Sequence, residues 1–433
     1  MNDHSRRPDL IQGLRRFRET AGEFRGRALG VAIGCLICQM GLGLTYVRSG
    51  IAPDLIESLD LTRAQLSGAA LPQLIFQALF SPLVGLLTIR LGASRVLAVS
   101  ATIFAFVFLG FSRIDSMAGL YVAIAGVGLA SAGMGDFTIG HIVSQWFRKN
   151  RGLALGIAYA GSNLGGSVLV ALVGAVAASY SWREGLLAIV PVALFILLPT
   201  SLFLIREPPP GRFRENSQDR IAASKGELSD DEERPSRDLD LKAAYRTRSF
   251  WILTLTLFSF FFYFTGVLDH FVLFLTDTGM SKTDARFYFS RAVGLGVVSK
   301  ILGGFLSDRI PPERAVQGVY ALLAFSSLVL LALPNSALLW VFIVSYGFSQ
   351  ACRDVVYPLV LGRCFGDRYL GEIYGAMTLT LLPGGVLGPM FGAILRDEMG
   401  SYNLAFGLFA LLNAIALGAL FLVRDERVPR SSG

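Results

Sequence analysis

A small set of ionisable side chains interrupts the apolar stretches of this 433-residue chain. The cations are Arg48, Lys300 and Arg353, and the carboxylates are Asp136 and Asp354. A charge inside a membrane costs about 3 kcal/mol unless it is paired or hydrated, so such residues indicate a substrate or ion pathway. The cations are suited to holding a carboxylate, arginine through a bidentate fork and lysine as a point charge.

The position of Lys300 favours a substrate-binding role. Lys300 precedes Arg309 by nine residues, and at 1.5 Å per helical residue this is about 13 Å. A hydrocarbon core is about 30 Å thick, so Lys300 is expected near its middle. Its neighbours one helical turn away are Gly296, Gly303 and Gly304, which indicates a small-residue face rather than a lipid-facing one. A structural ion pair is the alternative role.

Two arginines are further candidates for substrate binding. The spacing from Arg27 to Arg48 is that of a whole membrane span, which places Arg48 near the far end of the first helix, where an interfacial arginine is the alternative. Arg353 and Asp354 lie about ten residues before Arg363, again near mid-membrane. Either they bind the substrate or they belong to a buried ion-pair network. Adjacent helical residues point about 100° apart, which predicts that these two contact different neighbours.

Three titratable residues are candidates for carrying a proton. Asp136 lies ten residues before Trp146 in the predicted fourth span, as deep in the membrane as Asp354. A carboxyl group in a low-dielectric environment keeps its proton more readily, which is the chemistry that a proton symporter needs. His270 follows Asp269 near the outer end of the seventh span, and a histidine titrates near neutrality. An interfacial pair is the alternative role for His270.

The elements that position these residues are membrane-spanning helices. Hydrophobic residues make up 53% of the chain and charged residues 16%, whereas soluble domains carry about 25% charged residues. Twelve apolar blocks, each of about 20 residues and therefore long enough to span a bilayer, are predicted. The blocks begin near residues 28, 66, 95, 117, 152, 185, 250, 284, 314, 336, 371 and 402. The segment that precedes the first block is polar and rich in arginine, which is unlike a cleaved signal peptide.

The distribution of basic residues predicts the orientation in the membrane. Lysine and arginine concentrate in alternate loops, together with both tails and the long central loop. By the positive-inside rule, both termini are expected in the cytoplasm. The net charge of +7 therefore reflects topology, and no nucleic-acid partner is predicted.

The chain divides into two related halves at a polar, mixed-charge segment. The halves match in one constant register: Thr62-Arg63 aligns with Ser281-Lys282, each pair suited to capping the helix that follows. Parallel repeats of this kind build one large transporter fold, with the substrate site between the halves. The predicted units are a tail at 1–27, a six-helix bundle at 28–205, a linker at 206–248, a second bundle at 249–423 and a tail at 424–433.

A short motif adds a family resemblance to this interpretation. Residues 304–309 have the sequence G-F-L-S-D-R, which resembles the motif between the second and third helices of a half in the major facilitator superfamily. The first-half copy, residues 85–90, has Ile89 in place of the aspartate. The resemblance implies an all-α membrane fold of two pseudo-symmetric six-helix bundles. It also implies a cytoplasmic gate formed by Gly85, Arg90, Gly304, Asp308 and Arg309.

A second stretch is similar to a narrower family. Residues 146–161, W-F-R-K-N-R-G-L-A-L-G-I-A-Y-A-G, are similar to the fifth-helix signature of the monocarboxylate transporters, Y-F-x-K-R-R-x-L-A-x-G-x-A-x-A-G, and depart from it at Trp146 and Asn150. The resemblance implies a carboxylate-binding cation near Lys300 in the eighth helix. It implies another near Arg48 in the first helix.

The sequence thus predicts a secondary active transporter that moves a small organic anion, resembling a monocarboxylate, by alternating access with proton symport. It is expected to work as a monomer in the lipid of the cell membrane. Anion exchange of the oxalate–formate type and proton-driven efflux of an unrelated small molecule are the alternatives. No enzyme activity, cofactor or metal site is predicted, because the chain has no G-x4-G-K-[S/T], H-E-x-x-H or G-x-S-x-G pattern.

Overall fold

A computed structural model describes residues 24–147, 150–208, 238–307, 310–333, 336–366 and 369–427. These residues form twelve long helices, each beginning within three residues of its predicted start, and no strand. The predicted all-α membrane fold is therefore confirmed. The helices are α1 Arg27–Gly50, α2 Arg63–Leu91, α3 Ala93–Phe111, α4 Met117–Trp146, α5 Arg151–Ser179, α6 Trp182–Phe203, α7 Arg248–Asp277, α8 Lys282–Ser307, α9 Pro312–Leu331, α10 Ser336–Phe365, α11 Leu370–Met399 and α12 Asn403–Leu420.

One helix differs from the other eleven in composition. Within the described part of the chain, eleven helices are long and apolar enough to cross a membrane. The remaining long helix, α10, carries Gln350, Arg353 and Asp354 in the middle of its apolar stretch. Arg353 and Asp354 are candidate site residues, so the apolar character of α10 is interrupted where the sequence predicts the site.

The helices group into two bundles with separate hydrophobic cores. Almost all residues of one core belong to α1–α6, and almost all residues of the other belong to α7–α12. Across the interface α5 packs against α8, and α2 packs against α11. The bounds of the predicted tails and linker cannot be compared in full, because residues 1–23, 209–237 and 428–433 lie outside the described residues.

The internal repeat is visible in the helix caps. The Thr62 hydroxyl accepts a hydrogen bond of 3.1 Å from the Gln65 amide at the start of α2. The Ser281 hydroxyl accepts one of 3.1 Å from the Asp284 amide at the start of α8. The capping role that the internal repeat predicts for Thr62 and Ser281 is confirmed.

Glycines bring the helices of each bundle into close contact. A Cβ atom at Gly165 in α5 would overlap the carbonyl oxygen of Met40 in α1. In the second half, a Cβ atom at Gly388 in α11 would overlap the carbonyl oxygen of Phe262 in α7. Both glycines are therefore packing residues, which lets one helix backbone lie against another.

Several helices are interrupted near their middle. The central turn of α1, Gly41–Tyr46, is a 3₁₀ segment. In α4 the first segment ends at Gly133 and a second runs from Asp136 to Trp146. The break makes Asp136 the first residue of a new helical segment, where the backbone dipole favours a negative charge.

Ion pairs join the two halves on the membrane side opposite the termini. Arg63 at the start of α2 lies 2.7 Å from Asp277 at the end of α7. Asp54, in the short helix Ala52–Leu59, pairs with Arg286 and lies 3.4 Å from Lys282. The hydrogen bond and the charge of Lys282 lower the pKa of the neighbouring Glu57 carboxyl. The described residues thus hold the two bundles together on this side through charge pairs.

Candidate functional site

A cavity of about 250 Å³ lies between the two bundles. It is smaller than the roughly 300–1,000 Å³ of pockets that hold drug-sized ligands, which suits a small substrate. Residues from both halves line it, and the cavity contains the three cations predicted to bind substrate and two of the three predicted proton carriers. The charged lining residues are Arg48, Asp136, Asp269, Lys300, Arg353 and Asp354.

Lys300 reaches from α8 across to the other half. Its ammonium nitrogen donates to the Ser162 hydroxyl at 3.0 Å and to the Tyr159 carbonyl oxygen at 3.2 Å, both in α5. It also lies 3.1 Å from the carboxylate of Asp354. The predicted small-residue face is present, since a Cβ atom at Gly296 would overlap the side chain of Asn163. The charge of Lys300 is therefore held at the boundary between the bundles.

Arg353 is held by one carboxylate and an aromatic shell. Its guanidinium lies 3.1 Å from Asp354 and donates to the Tyr374 hydroxyl at 3.3 Å. The guanidinium carbon is 4.0 Å from the ring centre of Phe260 and 5.2 Å from that of Phe261, distances at which a cation is attracted to an aromatic face. Its Nε has no hydrogen-bond partner among the described residues.

Arg353 and Asp354 contact different neighbours, as predicted: Arg353 reaches Tyr374 and Asp354 reaches Lys300. They also pair with each other, which was not predicted. The long arginine side chain reaches the carboxylate of the next residue, and Lys300 approaches the same carboxylate through its other oxygen. The Asp354 side chain is 31% exposed, whereas those of Lys300 and Arg353 are 6% exposed. One carboxylate that faces the cavity thus bridges two buried cations.

Asp136 is supported by a buried amide. Gln39 in α1 donates a hydrogen bond of 2.7 Å from Nε2 to Oδ1 of Asp136. Gln39 is fully buried, and its Oε1 has no partner in the described part of the chain. An amide can donate to an ionised carboxylate and accept from a protonated one. The pair is therefore compatible with both protonation states of Asp136.

Arg48 is paired across the interface between the halves. Its Nη2 lies 2.6 Å from Asp269 Oδ1 in α7, and its Nη1 donates to the Leu66 carbonyl oxygen at 3.3 Å. Sequence reasoning missed Asp269 as a residue of the cavity. A signal was available, because Asp269 follows Arg248 at the same spacing at which Arg48 follows Arg27. Equal distances from the two helix starts place the residues at equal depth.

His270 is separate from the other candidates. It is buried on α7, where its Nε2 lies 2.7 Å from the Pro389 carbonyl oxygen of α11 and its Nδ1 lies 3.2 Å from the hydroxyl of Tyr402, just before α12. Its Nε2 also lies 3.4 Å from the Ser67 hydroxyl of α2. It is absent from the cavity lining. The structure does not bring His270 together with Asp136 and Asp354.

The predicted gate residues are only partly described. A Cβ atom at Gly85 would lie 3.5 Å from the Phe137 ring, and one at Gly304 would lie 3.5 Å from the Gly152 carbonyl oxygen in the other half. The Arg90 side chain is exposed. Both Asp308 and Arg309 lie outside the described residues. The gate on the side of the termini therefore stays a prediction.

Comparison with known proteins agrees with this architecture. A family model described as Major Facilitator Superfamily matches residues 31–381 and 298–433. The chain is similar to the hexuronate transporter of Bacillus subtilis (strain 168), with 24% identity over 389 residues that cover 86% of this chain and 88% of that protein. It is similar to monocarboxylate transporter 13 of Rattus norvegicus, with 25% identity over 361 residues that cover 82% and 78% of the two chains.

A solved structure shows the same fold. It is the crystal structure of a bacterial homolog of the human lysosomal transporter Spinster, in an inward-facing and occupied conformation. The TM-score is 0.68 at 18% identity, and the match covers 93% of this chain and 98% of that one. The predicted resemblance is thereby confirmed. The chain belongs to the Major Facilitator Superfamily and is a membrane transporter of small substrates rather than an enzyme.

Proposed function

We propose that this transporter carries a small organic anion together with a proton. The charge balance of the cavity carries the proposal. Its lining contains three cations and three carboxylates: Arg48, Lys300 and Arg353 with Asp136, Asp269 and Asp354. When all six are ionised the cavity is neutral, so an added monoanion leaves one unbalanced negative charge inside the membrane. A single proton on a carboxylate removes that charge, and with it the cost of an unpaired buried ion.

The arrangement around Asp354 supports a direct coupling of anion and proton. Asp354 pairs with both Lys300 and Arg353, since its carboxylate lies 3.1 Å from each. A proton on Asp354 weakens both ion pairs. The two cations then become available to a substrate carboxylate, which replaces that of Asp354. Proton binding and anion binding therefore favour each other in this scheme.

Asp136 is the second proton-carrier candidate, and its surroundings support a different role. It faces the cavity from the first half and accepts a hydrogen bond from Gln39. Asp136 lines the same cavity as Lys300 and Arg353 but forms no ion pair with either among the described residues, and in this scheme it exchanges protons when the halves move. Asp354 thus takes the proton that accompanies the substrate, and Asp136 passes protons through the first half.

Arg48 contributes from the other side of the cavity. Its pairing with Asp269 joins α1 and α7, which belong to different bundles. In the proposed cycle this pair and the Arg63–Asp277 pair break when the carrier opens away from the termini. We further propose that the termini lie in the cytoplasm and that the protein works as a monomer in the cell membrane. The two relatives, named for hexuronate and monocarboxylate, support an organic acid as the cargo.

Anion exchange is the alternative that the same cavity favours next, because Lys300 and Arg353 can hold either of two anions in turn. Uptake of radiolabelled organic acids into proteoliposomes separates the two mechanisms. Symport predicts that an imposed pH gradient drives uptake into vesicles that contain no anion. Uptake that ignores the pH gradient but requires an internal anion would contradict symport and support exchange.

A further inference from the structure

Three glutamine side chains line the cavity without a partner in the described part of the protein. Gln73 and Gln77 lie one turn apart on α2, and Gln350 lies on α10 one turn from Asp354. The side-chain amides of all three form no hydrogen bond with any described residue. Gln350 is only 4% exposed, and its exposure is to the cavity. The central site thus presents amide groups from both halves in addition to its charges.

Leaving these amides without hydrogen bonds costs free energy when the carrier encloses its substrate. Each amide offers two donor hydrogens and an acceptor oxygen. When a substrate displaces water from the cavity, a buried amide with no partner loses its hydrogen bonds. The carboxylate of an organic acid engages Lys300 and Arg353 and cannot also reach both walls of the cavity. A hydrocarbon chain has no group that can form hydrogen bonds with the amides.

From this lining we infer that the substrate is a hydroxylated carboxylate, a short-chain acid with several hydroxyl groups of the aldonic or uronic acid type. The inference rests on the proposed function and narrows its substrate class. A hydroxyl group donates and accepts, as an amide does, so hydroxyls along the chain can pair with Gln73, Gln77 and Gln350. Phe260 and Phe261 also line the cavity and provide apolar surface for the C–H groups of the same chain.

Matched pairs of acids test the inference on the purified full-length protein in nanodiscs. The pairs are glycerate with propionate, threonate with butyrate, and gluconate with hexanoate. In each pair the first acid carries hydroxyl groups that the second lacks. Dissociation constants come from ligand-induced thermal stabilisation. We expect the hydroxylated acid of the tightest-binding pair to bind at least about tenfold more tightly than its partner, because a site built for hydroxyls rejects analogues that lack them.

Variants assign the effect to the amides. Gln350→Leu and Gln77→Leu are expected to reduce the preference for the hydroxylated acid about tenfold while binding of the plain acid is unchanged. Gln145→Leu is the matched control, because Gln145 contacts His141 on α4 and lies outside the cavity lining. It is expected to keep the wild-type preference.

The outcomes separate this inference from the proposed function. If plain acids bind as tightly as hydroxylated ones, and Lys300→Ala abolishes both, the hydroxyl inference is overturned and the organic-anion function stands. A preference that survives both cavity glutamine variants would also overturn the role assigned to the amides. If none of the six acids binds, the proposed function fails and this inference fails with it.

Discussion

Asp354 and Lys300 form an ion pair of 3.1 Å inside the cavity, and the same carboxylate lies 3.1 Å from Arg353. The single negative charge of Asp354 therefore offsets one of the two cations, and Asp136 in the same cavity balances the other. This explains how two buried cations are tolerated in a membrane protein. It also means that an anion must compete with a carboxylate of the protein.

Lys300→Ala is expected to weaken the binding of organic anions about 30-fold or more, because it removes a buried charge that faces the substrate. Lys300→Arg is expected to restore part of this loss. Ligand-induced stabilisation measures both. Arg291→Ala is the control, since Arg291 lies on the same helix against Phe287 and does not line the cavity. Equal losses in the Lys300 and Arg291 alanine variants would contradict a direct role of Lys300.

Asp354→Asn is expected to strengthen anion binding and to remove most of its dependence on pH. The neutral amide cannot form the ion pairs with Lys300 and Arg353, so the cations are free at any pH. Binding titrations at several pH values between about 5 and 8 provide the measurement. Weaker binding with the wild-type pH profile would show that Asp354 does not compete with the substrate.

Gln39→Leu is expected to slow proton-driven uptake about tenfold, because the variant removes the hydrogen bond to Asp136. Exchange of internal for external anion needs no net proton transfer and is expected to continue near the wild-type rate. Proteoliposome assays with and without a pH gradient measure the two activities. If both fall together, Gln39 supports the fold rather than the proton carrier. Gln145→Leu provides the matched control.

Asp277→Asn is expected to favour opening on the side opposite the termini, because Asp277 pairs with Arg63 across the halves and with Arg396. Labelling of a cysteine introduced at cavity-lining Thr45, with a membrane-impermeant reagent added on that side, should increase about two- to fivefold. The four native cysteines are buried and provide a low background.

Asp284→Asn is the control for this prediction, since Asp284 hydrogen-bonds Ser281 within its own half. Equal labelling of Thr45→Cys with and without Asp277→Asn would show that the pair does not hold this side closed.

Much of the fold could be predicted because helix length, apolar character and capping are local properties. The caps at Thr62 and Ser281 are examples, since each depends on residues within one turn. Asp136 and Lys300 were both predicted near the middle of the membrane, which is consistent with their lying in one cavity. Depth in the membrane could be predicted because it follows from the number of residues between a side chain and the end of its helix.

The partners of these residues could not be predicted in the same way. Arg48 and Asp269 lie far apart in the chain and in different halves, and their contact depends on how two bundles pack. The contact between Arg353 and Asp354 depends on a side-chain rotamer rather than on helical direction. The same holds for His270: the sequence predicted its depth in the membrane but not the face of α7 on which it lies.

Proton uptake on anion binding tests the central claim most directly. Purified protein in weakly buffered solution at pH 7 is mixed with the tightest-binding acid, and the protons taken up are measured with a pH indicator. We expect about one proton per anion bound in the wild type and close to none in Asp354→Asn. Anion binding that depends on Lys300 but takes up no proton in the wild type would contradict proton-coupled anion transport.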